Sequence, residues 1–111
     1  MLFNRGEFFE AHEALEDAWR DEQGEIRDLY QGILQIAVTY LHITRGNYIG
    51  AVKVYNRSQK RLAKWPDVCQ GVDVKQLLDD ARLVMDEVVR LGKENIAEFD
   101  RSLFRPIVFE D

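Results

Sequence analysis

Apolar residues recur every three to four positions over most of this chain, the spacing of helices that bury one face. Four segments follow from that rhythm. The first opens at Asn4, a capping residue, with Glu7 three positions on to complete a capping box and Phe3 and Phe8 placed as a hydrophobic staple. It should end between Asp21 and Gly24. The second runs from about Glu25 to Arg45 and stops at Gly46, a residue suited to the left-handed position past a helix end. Asn47 caps the third, which carries Tyr48, Ala51, Val52, Tyr55, Gln59 and Leu62 on one side. It ends before Trp65-Pro66, because a residue preceding proline is driven out of helical backbone. Gly71 interrupts the chain, and Asp73 with Gln76 three positions later opens the fourth segment. Its stripe reads Val74, Leu77, Leu78, Ala81, Val84, Met85, Val88 and Leu91.

Beyond Gly92 a short fifth helical piece reaches Phe99, and an extended apolar end around Pro106 to Phe109 should dock on the body of the domain, or on another subunit. No period-two alternation, internal repeat or low-complexity linker interrupts the pattern. It therefore predicts an all-α fold: a compact antiparallel bundle of four to five helices with a docked C-terminal tail, in one domain over residues 1–111.

Placed at about 100° per residue, Phe8, His12, Leu15, Glu16 and Trp19 share one inward arc of the first segment, with Glu13 at its margin. His12 and Glu16 stand one turn apart. The second segment is apolar over most of its circumference, through Ile26, Leu29, Tyr30, Ile33, Leu34, Ile36, Ala37, Tyr40, Leu41 and Ile43, which makes it the central helix. A narrow polar line nevertheless runs through it: Asp28, Gln31, Gln35, Thr39 and His42. Glutamine, threonine and histidine there imply a partly buried, hydrogen-bonded line, since an orphaned buried polar group costs about 1–3 kcal/mol. The economical partners are His12 and Glu16, with Gln31 and Gln35 nearest their level and His42 toward Phe8 and Phe9.

Three readings compete for this candidate site of His12, Glu13, Glu16, Gln31, Gln35 and His42, lined by Phe8 and Trp19. The plain one is a His–Glu–Gln network that fixes helix register. A second is a binding or interaction module. The third is a metal-dependent, hydrolase-like enzyme using His12, Glu13, Glu16 and His42, with His12, Glu16 and His42 as ligands. "HEALE" resembles the HExxH of zinc peptidases, but Glu16 stands where the second histidine belongs. No cofactor is predicted, a divalent metal being the alternative. No glycine-rich phosphate loop or nucleophilic triad is present.

Composition narrows the choice. Of the 111 residues 46% are apolar and 32% charged, a globular balance. The lone Cys69, with no signal peptide and no apolar run of membrane-spanning length, predicts a cytoplasmic, disulfide-free protein with no membrane partner. A net charge of −5 argues against a nucleic-acid partner. The one basic stretch, Lys53, Arg57, Lys60, Arg61 and Lys64, reads as a solvated helix face, with a weak anion or RNA contact as the alternative. A homo-oligomer or a protein partner is the remaining expectation.

"FNRGEFFEAHEALEDAW" followed by "YQGILQIAVTYLHITRGNYIGAVKVY" resembles the bacterial and archaeal family known as domain of unknown function 309. The residues that carry the resemblance are Phe3, Asn4, Gly6, Phe8, Phe9, Glu10, Ala11, His12, Glu13, Glu16 and Trp19. A second set comprises Gln31, Gly32, Gln35, Ala37, His42, Gly46, Asn47, Gly50 and Ala51. The likeness covers roughly residues 3 to 62, and the region after Trp65 shares only its helical character. It implies a small all-helical protein with these site positions and no assigned reaction.

Overall fold

The computed structural model describes Glu13 and residues 26–66, 68–69 and 72–105. Within them the chain is all-α, in three helices: α1 (Ile26–Thr44), α2 (Tyr48–Leu62) and α3 (Val74–Asn95). The bounds of α1 and α2 fall within a few residues of those read from the periodicity. Gly46 takes φ +73°, the left-handed conformation that a β-carbon would strain, and the backbone N–H of Asn47 closes on the His42 carbonyl at 2.8 Å. Asn47 then caps α2 by accepting from the Gly50 N–H at 2.9 Å. Three residues thus turn the chain back on itself. Asp28 near the start of α1 meets Arg61 near the end of α2, so the two helices form an antiparallel hairpin.

The core forms around α1, as its nearly all-round apolar character requires. Leu29, Ile33, Leu34, Ile36, Ala37, Tyr40 and Ile43 are all buried, against Ala51 and Leu62 of α2. From α3 come Val74, Leu77, Ala81, Val84, Met85 and Val88, most of the expected stripe. Leu78 and Leu91 are only partly covered. Asp73 caps α3 by accepting from the Gln76 N–H at 2.9 Å. Gln76 does not reciprocate; its amide donates to the buried Asp80 carboxylate at 2.8 Å.

The regular helix breaks at Gly92 (φ 73°, ψ 176°), where the chain steps into a last turn and then a 3-10 turn, Ile96–Glu98. This is the short fifth piece that the sequence predicts. Ile96 lies beside Gly46, so α3 ends where α2 begins. A second 3-10 turn, Arg101–Leu103, leads to Phe104, whose ring stacks at 4.6 Å from Tyr40 and 5.0 Å from Phe99. The tail is therefore docked as far as Phe104. Its predicted apolar end, Pro106 to Phe109, lies outside the described residues.

One feature corrects the sequence reading. Val68–Cys69 and Val72–Asp73 pair as a two-residue antiparallel ribbon, β1 and β2, with Cys69 opposite Val72. Cys69 is thus in a strand. Two residues per strand are too few for period-two alternation to register in the sequence. Among the described residues no helix is long and apolar enough to cross a membrane.

Candidate functional site

Of the polar line on α1, Gln35 and Thr39 are buried, and Asp28, Gln31 and His42 are half-buried. Each bonded member takes its partner from a different place. The Thr39 hydroxyl donates to the Gln35 main-chain carbonyl one turn back, at 2.8 Å. His42 Nδ1 lies 3.2 Å from Asn47 Nδ2, so the histidine braces the cap of α2. Burial pushes the His42 pKa below its ordinary value, helped by the positive charge of Arg45. Asp28 accepts from Arg61 and pairs with Lys64. The Lys64 hydrogen bond, then that of Arg61, holds its carboxyl below the usual range against the opposing effect of burial. Among the described residues, no two side chains of the line bond to each other.

Gln59 Nε2 and Trp65 Nε1 are buried without a hydrogen-bond partner among the described residues, and so is the side-chain oxygen of Gln35. Gln35 as a whole is only 8% exposed. Gln35 belongs to the wall of a hollow of about 330 Å³ between α1 and α2. Asp28 and Gln35 supply the α1 side; Arg57, Lys60 and Arg61 of α2, with Lys64 just beyond it, supply the other. Four cations therefore face one carboxylate and one buried amide. Arg61 and Lys64 are drawn inward to Asp28, so this part of the basic stretch is not the wholly solvated face read from the sequence.

The structure thus brings Gln35 to a cavity but does not bring His42 there. The two stand seven residues apart on α1, about 10 Å along the axis. A second hollow of about 290 Å³ at the other end of the hairpin is lined by Ile43 to Gly46, Ala97, Phe99 and Arg101. Neither Gln31 nor His42 lines either of these hollows. Glu13 is helical and exposed. His12, Glu16, Phe8 and Trp19 lie outside the described residues. No group of three or more His, Cys, Asp or Glu side chains able to hold a metal occurs among the described residues.

What sequence reasoning missed is the joining of the basic stretch to the polar line. The signal was present: Asp28 and Arg61 lie at comparable distances on either side of Gly46, and a hairpin folded at that glycine must bring them together.

Comparison with known proteins agrees with the resemblance. Residues 1–54 match the model of the family described as "Domain of unknown function (DUF309)". An "Uncharacterized protein" of Aquifex aeolicus (strain VF5) is 30% identical over 95 residues. That match takes in 85% of this chain but only 27% of the Aquifex protein, so the chain spans about a quarter of its relative. No solved structure matches the chain.

Proposed function

We propose that this chain, which belongs to the DUF309 family through its N-terminal half, is a binding module whose ligand site is centred on Gln35. One observation carries the reading: Gln35, whose buried side-chain carbonyl has no hydrogen-bond partner among the described residues, lines a hollow of ligand size. An orphaned acceptor of this kind costs about 1–3 kcal/mol, and native proteins keep such costs where a ligand or a reaction recovers them. In this reading the first segment is a further helix of an antiparallel bundle. It lays His12 and Glu16 along the polar line, near Gln31 and Gln35, with Glu13 at the margin. The lone Cys69 suits a cytoplasmic setting.

The purely structural alternative makes Gln35 a bonded member of a register-fixing network, and the two readings predict opposite signs. Gln35→Met keeps the shape and helix preference of the side chain while removing the orphaned acceptor. Under the binding reading the ligand-free variant melts higher than the parent, by about 1 kcal/mol or several degrees for a domain of this size. A lower melting temperature would mean that the amide serves the fold and would overturn the reading.

A further inference from the structure

The geometry points to the hollow between α1 and α2 as a site for a small phosphate-bearing ligand, its dianion held by Arg57 and Lys60 and a hydroxyl donating to Gln35. This inference rests on the binding reading above and names the ligand class for the same site.

Charge is the first argument. The chain as a whole carries −5, yet this hollow gathers Arg57, Lys60, Arg61 and Lys64 around the single carboxylate of Asp28. The cations are also divided in use. Arg61 and Lys64 are committed to Asp28. Arg57 and Lys60, one turn apart on α2, make no hydrogen bond or ion pair among the described residues. A planar guanidinium and a mobile ammonium on the same rim suit an anion with several oxygens, because the guanidinium takes two of them in parallel and the ammonium a third.

The buried amide selects among anions. Gln35 lines the hollow, is more than nine-tenths buried, and has a side-chain acceptor with no partner among the described residues, which a donor from the ligand would satisfy. A simple carboxylate offers two acceptor oxygens and no donor. A phosphomonoester of a polyol offers three phosphate oxygens for the cations and hydroxyl donors for the amide. The same dianion occurs in free phosphate, whose P–OH can also donate. A hollow of about 330 Å³ accepts either but lies at the small end of ligand sites. An RNA strand fits the electrostatics less well, since a chain of net negative charge repels a long polyanion.

The test is a titration of the nitrogen-15-labelled protein at low salt, followed by NMR, with inorganic phosphate, ribose 5-phosphate, ribose and a short oligoribonucleotide in separate arms. The expected result is saturable shifts at the Gln35 side-chain amide and the backbone of residues 57–64, with ribose 5-phosphate binding at least about tenfold tighter than ribose. Arg57→Gln and Lys60→Gln should each weaken it by about tenfold, and Gln35→Met should weaken it while leaving the backbone spectrum folded. Comparable binding of inorganic phosphate and ribose 5-phosphate would assign the source as free phosphate and support the dianion site. No saturable shift with either, binding unchanged in Arg57→Gln and Lys60→Gln, or tightest binding by the oligonucleotide would each overturn the inference. Its failure is distinct from that of the underlying reading: absent phosphate binding with a raised Gln35→Met melting temperature sinks only the ligand class, whereas a lowered melting temperature sinks the binding site itself.

Discussion

Asp28 and Arg61, thirty-three residues apart in sequence, form an ion pair that closes the open end of the α1–α2 hairpin. Lys64 approaches the same carboxylate from beyond the last turn of α2. Both helices gain from this arrangement. The carboxylate stands in the first turn of α1 and the cations at the end of α2, where each opposes the local helix dipole favourably. The pair also fixes the width of the hollow that Gln35 lines, because Asp28 and Arg61 belong to its opposite walls.

Asp28 should therefore make the protein acid-sensitive in a defined window. Its folded pKa lies below the unfolded value of about 3.9, so its contribution is fully present above that pH and is lost as the pH falls through the lower folded value. Asp28→Asn should cost about 0.5–1 kcal/mol at pH 7, the modest worth of a partly exposed pair. The difference between variant and parent should shrink as the pH falls below the unfolded value and vanish once it is below the folded one. Urea melts across this range measure it; a difference that persists undiminished at acid pH would assign the loss to packing instead.

Gly32 lets α1 and α2 approach closely. A β-carbon there would stand 2.6 Å from Leu62 Cδ2 and 2.7 Å from its Cγ, and Leu62 is completely buried. Gly32→Ala gains about 1 kcal/mol of helix preference but forces overpacking that costs about 1–3 kcal/mol. The expected balance is a lower melting temperature, despite a substitution that stabilises most helices. Calorimetry decides the sign. In Gly32→Ala/Leu62→Ala the clash should vanish, so the alanine at 32 should no longer add to the cost of losing Leu62.

The local features were the most legible in the sequence. Gly46 and Asn47 mark the turn, Asp73 marks the start of α3, and Gly92 marks its break, because each acts within a few residues of backbone. The burial of α1 was equally plain from its apolar circumference. Tertiary features were less so. Periodicity places Gln35 on a polar line but cannot say that its amide meets a hollow, which depends on the distance to Arg57 and Lys60 across the hairpin. It likewise reads the basic stretch as a solvated face, since nothing local shows that Asp28 is waiting opposite. Ser58 and Asp80, both buried, escaped for a related reason: one bonds the Tyr55 carbonyl of its own helix and the other takes the Gln76 amide, partners that only the folded helix supplies.

His42 should titrate below its ordinary pKa of about 6.5, because burial disfavours the imidazolium and Arg45 repels it. A depressed folded value means that the unfolded chain binds the proton first as the pH drops. Stability is thus full above about pH 6.5 and declines as the pH falls through the folded value. His42→Gln should remove that slope while retaining a hydrogen bond to Asn47. The histidine proton resonance, followed by NMR from pH 8 to 4, gives the midpoint, and one at or above 6.5 would contradict the structural environment described.

Metal content separates the binding reading from the hydrolase-like one. A site made of His12, Glu16 and His42 needs three ligands from two helices within about 2.0–2.2 Å of one ion. On α1, His42 is already engaged with Asn47 and stands about two turns from Gln35, at whose level His12 and Glu16 are proposed to lie. Bringing all three together would require the first segment to present His12 at the other end of the polar line, away from Gln31 and Gln35. The binding reading therefore expects protein purified without a metal-affinity step to carry well under one equivalent of zinc, manganese or iron by mass spectrometry. Added zinc should raise the melting temperature no more in the parent than in His12→Ala. A stoichiometric metal lost in both His12→Ala and His42→Ala would move the site to the His42 end of α1 and favour metal-assisted hydrolysis, with Glu13 as the remaining base.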